Sequence, residues 1–97
     1  NSKYAVIYCF GQLGRIVFNF VRHKYKKLYI IDNNPSFNGR IIQNQMIYCH
    51  KDFIKRIKIK QKFTLYVCHE NLKMQSKIIQ KFNNKENNLD SIKFNFF

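Results

Sequence analysis

The stretch Tyr4-Ala5-Val6-Ile7-Tyr8-Cys9-Phe10-Gly11-Gln12-Leu13-Gly14 decides the fold. It begins with a nearly continuous apolar run, which is typical of a strand that is buried on both faces of a parallel sheet. From Leu13 onwards, apolar residues return at helical spacing, at Ile16, Val17 and Phe20. A strand, a glycine turn and an amphipathic helix form the first half of a βαβ unit.

The rest of the chain continues this alternation. Further strands are predicted over residues 27–32, 45–49, 63–68 and 92–97, with a short helix after Asp52 and a longer helix that Asn71 caps. We therefore predict an α/β protein with a single small Rossmann-like domain over residues 1–97. Its three layers are a parallel sheet of about five strands and helices on both faces.

The charge of the chain is strongly positive. Eighteen Lys and Arg residues against 5 Asp and Glu give a formal charge of +13, which points to nucleic acid or an anionic surface. However, Lys, Asn, Ile, Phe and Tyr, which A+T-rich codons encode, supply 55 of the 97 residues. We therefore interpret the lysine excess as composition and expect no nucleic-acid partner. Lysines clustered on one face would favour the nucleic-acid alternative.

Composition also excludes several classes of protein. A content of 45% apolar residues excludes a disordered tail, and three cysteines are typical of reduced thiols in a cytoplasm, not of a disulfide scaffold. No apolar run approaches the ~18–20 residues of a membrane span, so we expect none. A chain that starts without Met and stops within a predicted strand is expected to be a fragment of a longer multidomain protein.

The glycine turn predicts a binding site. In the dinucleotide-binding pattern Gly-x-Gly-x-x-Gly, Gly11 and Gly14 hold the second and third positions, whereas Cys9 holds the first. Asp32 follows 18 residues after Gly14, at the end of the second strand, where a carboxylate accepts hydrogen bonds from a ribose. The spacing favours a nucleotide-type ligand. The alternative is that both glycines serve only helix–strand packing.

Cysteine and histidine residues offer other chemistry. The two Cys-His dipeptides at 49–50 and 68–69 suggest zinc, but the strands that carry them are expected about 14 Å apart, so we predict no metal site. Cys9 at a helix N-terminus is either a thiol of lowered pKa or inert packing. His69 follows the fourth strand and is a candidate for contact with a ligand in the crevice at the carboxyl ends of the strands.

The chain resembles a small Rossmann-type module of bacterial surface-glycan biosynthesis in three segments. They are residues 9–15, residues 31–40, and residues 47–54, which include Asp52-Phe53-Ile54. The module is similar to the N-terminal domain of PglD-type sugar acetyltransferases and to Rossmann appendages of FkbM-like methyltransferases, C-methyltransferases and capsule glycosyltransferases. The resemblance implies a nucleotide-sugar ligand, such as a UDP-sugar. The residues that it implies as contacts are Gly11, Gln12, Leu13 and Gly14 for the backbone cradle, and Asp32 and Asn33 for the sugar or base. Cys9-Phe10 departs from the Gly-Ala of those families.

We therefore predict a nucleotide-sugar-binding, non-catalytic domain of a cytoplasmic polysaccharide-biosynthesis transferase. The catalytic residues of such transferases lie in another domain, so the expected partner is a covalently attached catalytic domain, and no catalytic residue is implied here. One alternative is a ligand-free structural or dimerisation module, which predicts a homodimer or an intramolecular contact and a crevice that Phe10 or its neighbours plug. Another is a regulatory domain that binds NAD or adenine nucleotides, since the opening also resembles the RCK domains of potassium channels.

Overall fold

Strands and helices alternate along the chain, as the sequence predicts. The computed structural model describes residues 3–57, 62–83 and 89–94. Its elements are β1 (Tyr4–Tyr8), α1 (Gln12–Val21), β2 (Lys27–Ile31), β3 (Ile41–Ile42), β4 (Gln45–Tyr48), α2 (His50–Arg56), β5 (Phe63–Cys68), α3 (Leu72–Asn83) and β6 (Leu89–Phe94). The last predicted strand, over 92–97, begins earlier than expected, and residues 95–97 lie outside the described ranges.

The sheet is mixed, with strand order β3-β4-β2-β1-β5-β6. Strands β4, β2, β1, β5 and β6 run parallel, and β3 pairs antiparallel with β4. The prediction of a Rossmann-like, entirely parallel sheet is therefore wrong. The physical reason lies at Gln43 and Asn44, whose φ angles of 48° and 68° form a two-residue hairpin loop between β3 and β4.

Each face of the central strands packs into its own core. In β1, Ala5 and Ile7 belong to the cluster that α1 covers, whereas Val6 and Tyr8 belong to the opposite cluster. The first cluster takes its helical part from Val17, Phe18 and Val21 of α1, and the second from Phe53 of α2 with Ile78 and Phe82 of α3. Burial on both faces explains why β1 reads as a continuous apolar run.

The helices are short. The longest described helix, α3, has 12 residues, whereas a membrane span needs about 20. Within the described ranges, no helix has the length and apolarity to cross a membrane.

Candidate functional site

The turn after β1 brings the start of α1 to the carboxyl edge of the sheet. Cys9 adopts a left-handed backbone with φ 79°, the conformation that the first glycine of the motif usually supplies. Gly11 is the N-cap of α1, and no side-chain hydrogen bond from the described residues caps this helix. The first turn of α1 also contains no acidic residue, although the Asp32 carboxylate lies beside the turn that precedes it, and Gly11, Gln12 and Leu13 at the start of α1 line the crevice.

Gly14 allows the close packing of this turn. A Cβ atom built on Gly14 would lie 2.1 Å from the carbonyl oxygen of Cys9, which no side chain tolerates. Gly14 therefore has the role that the third glycine plays in the dinucleotide motif, close packing of helix on strand. At Gly11, in contrast, a Cβ would meet no heavy atom of the described residues within 4 Å.

Asp32 connects the end of β2 to the turn after β1. Its Oδ2 accepts a hydrogen bond of 2.7 Å from the Phe10 backbone N–H, and its Oδ1 accepts one of 2.8 Å from the Asn34 N–H. The carboxylate thus fixes both the glycine turn and its own loop. A carboxylate has about four lone-pair sites, so each oxygen of Asp32 can still accept from a ligand hydroxyl.

Two asparagines fix the loop that follows Asp32 to the start of α2. The Oδ1 atom of Asn33 accepts from the His50 N–H at 2.8 Å, and the Oδ1 of Asn38 accepts from the Cys49 N–H at 3.1 Å. These bonds satisfy N–H groups at the start of α2, which has no capping side chain of its own. The loop is therefore held at both ends around the crevice.

The crevice between the strand ends, α1 and α3 has a volume of about 470 Å³. Of the predicted site residues, the structure brings together Gly11, Gln12, Leu13, Asp32, Asn33 and His69 on its lining. Gly14 lies outside the lining, because it is buried beneath the Cys9 carbonyl. The remaining lining residues, which were not among the predicted contacts, are Tyr8, Cys9, Asn34, Phe37, Cys68, Glu70, Met74, Ile78 and Lys81.

Tyr8 and Lys81 form a polar wall of the crevice. The Tyr8 hydroxyl accepts a hydrogen bond from Lys81 Nζ at 3.3 Å and lies 3.0 Å from Nδ1 of His50. Burial raises the pKa of the Tyr8 hydroxyl above its ordinary value, so this phenol stays neutral and keeps its proton for donation. Lys73, Lys77 and Lys81 recur every fourth residue along α3, so the sequence alone does not distinguish Lys81 from the other two.

The charges on the crevice lining are mixed. Among the described lining residues, Asp32 and Glu70 are acidic and Lys81 is the basic one, so the positive charge of the chain is not concentrated here. Phe37, Met74 and Ile78 add apolar surface. The lining therefore offers acceptors for hydroxyl groups, one ammonium group, and a helix start for an anion.

Phe10 does not plug the crevice. Its side chain is 1% exposed and packs edge-to-face against Phe18 of α1, with ring centroids 5.7 Å apart. Phe10 is also absent from the residues that the structure places on the crevice lining. In the described part of the chain, Phe10 therefore does not block the crevice as the ligand-free alternative predicts.

The thiols in the crevice are not activated. Burial, with the nearby Asp32 carboxylate, raises the pKa of Cys9 to about 11, and burial raises that of Cys68 to about 12. The alternative that Cys9 is a thiol of lowered pKa is therefore wrong, because desolvation outweighs the start of the helix. Both thiols are protonated at neutral pH and act as packing groups.

His69 serves the start of α3. Its Nδ1 accepts from the Asn71 N–H at 3.0 Å, and its carbonyl oxygen accepts from Gln75 Nε2 at 2.6 Å. Asn71 caps α3 as predicted, since its Oδ1 accepts from the Met74 N–H at 3.1 Å. In the described part of the chain, no group of three or more His, Cys, Asp or Glu residues is placed to hold a metal ion.

No protein-family model matches the chain, and neither a curated protein nor a solved structure shows significant similarity to it. The resemblance to surface-glycan enzymes stays a prediction for this reason. The function must be argued from the crevice itself.

Proposed function

We propose that this domain binds a nucleotide-sugar in the crevice, with the phosphates at the start of α1 and the sugar or ribose hydroxyls at Asp32. One observation carries the proposal: the start of α1, which has no capping side chain and no acidic residue in its first turn, lines the same crevice as Asp32. Helix N-termini attract phosphate because their N–H groups and the helix dipole point at the anion.

The size of the crevice supports a ligand of this class. Its volume of about 470 Å³ lies within the 300–1,000 Å³ that is typical of small-molecule sites. Its lining is partly apolar through Phe37, Met74 and Ile78, which suits a base or the face of a sugar ring.

The mixture of charges supports a ligand with both phosphate and hydroxyl groups. A ligand made of phosphate alone would be repelled by the carboxylates of Asp32 and Glu70 and would offer them no hydrogen-bond donor. Hydroxyl groups donate to those carboxylates, while Lys81 and the start of α1 take the negative charge. A nucleotide-sugar supplies both kinds of group. In this proposal the domain holds the donor for a cytoplasmic transferase of polysaccharide biosynthesis.

A ligand-free structural module is the second candidate. The observation that favours it is Asp32, whose two carboxylate oxygens already accept backbone N–H groups of Phe10 and Asn34. In that case the motif would exist to hold the turn and the loop together, and the crevice would have no occupant.

Calorimetric titration separates these candidates. The ligands are UDP-glucose, UDP and NAD, each titrated into the chain and into two matched variants, Lys81→Gln and Lys77→Gln. Both lysines lie on the exposed side of α3, but only Lys81 is among the described lining residues. We expect UDP-glucose to bind most tightly and Lys81→Gln to weaken it by about tenfold, the effect of one charge-assisted hydrogen bond, with Lys77→Gln near wild type.

Absence of heat with all three ligands would refute the proposal and favour the structural module. A preference for NAD over UDP-glucose would favour the regulatory alternative. Equal losses in both lysine variants would show that net charge, not the crevice, binds the ligand.

A further inference from the structure

A second cluster of charge lies at the opposite end of the strands. The segment that joins α1 to β2 contains Arg22, Lys24, Lys26 and Lys27, with His23 among them. Lys3, just before β1, joins them, because its carbonyl oxygen accepts the backbone N–H groups of Lys26 at 2.8 Å and Lys27 at 3.3 Å. We call Lys3 and the segment Arg22–Lys27 the basic edge.

The acidic side chains that the structure describes lie elsewhere. Asp32 and Glu70 line the crevice at the carboxyl ends of the strands, and Asp52 is in the first turn of α2, which follows the carboxyl end of β4. In the backbone register, Asp90 of β6 is opposite Thr64 of β5. By strand spacing, the backbone of β6 lies about 14 Å from β2 and about 10 Å from β1, which Lys3 precedes.

Helix chemistry explains only part of this cluster. Basic residues near a helix C-terminus complement its dipole, which accounts for Arg22 at the C-cap of α1. The effect falls off within the last turn, so it does not extend to Lys26 and Lys27 at the start of β2, or to Lys3 on the neighbouring strand. These lysines are exposed, and their proximity raises the electrostatic energy of the free protein.

A concavity of about 250 Å³ lies within the basic edge. Its polar lining comes from Arg22, His23, Lys26, Gln43 and Gln45, and its remaining lining residues are Phe18, Tyr25 and Leu28. The Arg22 guanidinium lies 5.8 Å from the centroid of the Phe18 ring, which holds the group over the apolar floor. The concavity thus combines cations for a phosphate with two amide side chains, which can hydrogen-bond to base edges.

An exposed aromatic side chain completes the arrangement. Phe20, in the last turn of α1 and two residues before Arg22, is 76% exposed, although burial of an aromatic ring is normally favourable. Single-strand-binding proteins use exposed aromatic rings to stack bases and cations to follow the phosphate backbone, and Phe20 lies close in the chain to such cations.

We propose that the basic edge binds the phosphodiester backbone of a single-stranded nucleic acid, with a base stacked on Phe20. The concavity and its amide groups favour a nucleic acid over a membrane surface, which presents headgroups on a flat surface. The basic edge lies away from the crevice, so this proposal does not depend on the proposed function. For these five cations, the proposal replaces the interpretation that the positive charge reflects composition alone. Clustered cations are the feature that favours nucleic-acid binding over that interpretation.

Fluorescence anisotropy with a labelled 12-nucleotide oligouridine tests the proposal over a series of salt concentrations. The variant Lys24→Gln/Lys26→Gln removes two exposed cations of the basic edge, and Lys73→Gln/Lys77→Gln on α3 removes the same charge elsewhere. Each phosphate contact to a single strand contributes about 0.7 to the salt slope, so losing two lowers the slope by about 1.4 and the affinity at 0.1 M salt by about 25-fold. We expect the α3 variant to remain within about threefold of wild type, since it loses charge without losing a contact.

Phe20→Ser tests the stacking contact. It is expected to weaken oligouridine binding by at least about fivefold without changing the salt slope, because stacking involves no counterion. Thermal melting by circular dichroism confirms that each variant is folded, and UDP-glucose titrations of the same variants are expected to match wild type.

Three results would overturn the proposal. The first is no binding of oligouridine at 50 mM salt. The second is an equal loss of affinity in the basic-edge and α3 variants, which would mean that net charge alone attracts the strand. The third is binding to phosphatidylserine vesicles that the basic-edge variant abolishes while oligouridine does not bind, which would make an anionic membrane the partner.

Discussion

A carboxylate introduced at the start of α1 should raise the stability of the protein and lower its affinity for the ligand. Gly11→Asp introduces a side chain where φ is −81° and where a Cβ meets no described heavy atom within 4 Å, so the substitution fits without strain. The introduced carboxylate can accept the N–H of Leu13 or Gly14, as an N-cap does. Relative to glycine, three effects raise the free energy of unfolding. The cap contributes a few tenths of a kcal/mol, the interaction with the helix dipole about 0.3–1 kcal/mol, and the reduced freedom of the unfolded chain about 0.4–1 kcal/mol.

Repulsion from the carboxylate of Asp32, which binds the neighbouring Phe10 N–H, offsets part of this gain. A net gain of about 1 kcal/mol corresponds to a rise in Tm of about 4–8 °C for a domain of this size. Ligand binding should change in the opposite direction. A phosphate held about 4 Å from the introduced carboxylate is opposed by about 4 kcal/mol at an effective dielectric constant of 20, or roughly a thousandfold in affinity.

The assay combines thermal melting with UDP-glucose calorimetry on Gly11→Asp and on Gly11→Ala, which adds a methyl group without a cap. We expect Gly11→Asp to melt higher and bind no detectable ligand, while Gly11→Ala binds like wild type. Ligand binding by Gly11→Asp at wild-type affinity would show that the phosphates do not contact the start of α1. A lower Tm for Gly11→Asp than for Gly11→Ala would refute the described helix start.

Three further substitutions test the turn by urea denaturation. Gly14→Ala should destabilise the protein, because its Cβ would lie 2.1 Å from the Cys9 carbonyl oxygen, although alanine improves helix propensity by about 1 kcal/mol. A stability equal to wild type would contradict this close packing. Cys9→Gly should be more stable than Cys9→Ala by about 1 kcal/mol, because only glycine accepts φ 79° without cost; the reverse order would exclude the left-handed turn. In Asp32→Asn, only one side-chain oxygen remains to accept the N–H groups of Phe10 and Asn34, so we expect the free energy of unfolding to fall by about 1.5–3 kcal/mol. An unchanged free energy of unfolding would mean that these hydrogen bonds are not formed.

Much of the order of elements follows from local patterns. The apolar run of β1, the change of period at Leu13 and the cap at Asn71 each depend on a few consecutive residues, and the structure confirms all three. The hairpin of β3 and β4 was not predicted, because its loop is Gln43-Asn44 and lacks the glycine that usually marks two positive φ angles. Its antiparallel pair is what makes the sheet mixed.

The sequence predicts the site residues that the position of the backbone brings to the crevice. It does not predict those that reach the crevice through a long side chain. Gly11 and Asp32 are on the crevice lining because both lie where parallel strands end. Lys81 is 73 residues from Tyr8 along the chain, so only the packing of α3 shows that its ammonium group reaches the Tyr8 hydroxyl. The bond from Phe10 to Asp32 is likewise a tertiary contact between residues 22 positions apart, which no local motif shows.

The net charge of +13 therefore has different consequences at the two ends of the strands. On the crevice lining, two carboxylates accompany one ammonium group, so the overall positive field would speed the arrival of any anion but would not select among anions. Selection there must come from the N–H groups of α1 and from the acceptors for hydroxyl groups. At the basic edge, where we propose nucleic-acid binding, Coulomb attraction between five cations and the phosphates would itself supply the affinity. Salt should consequently weaken oligonucleotide binding steeply and nucleotide-sugar binding only slightly, and this difference separates the two sites in one protein sample.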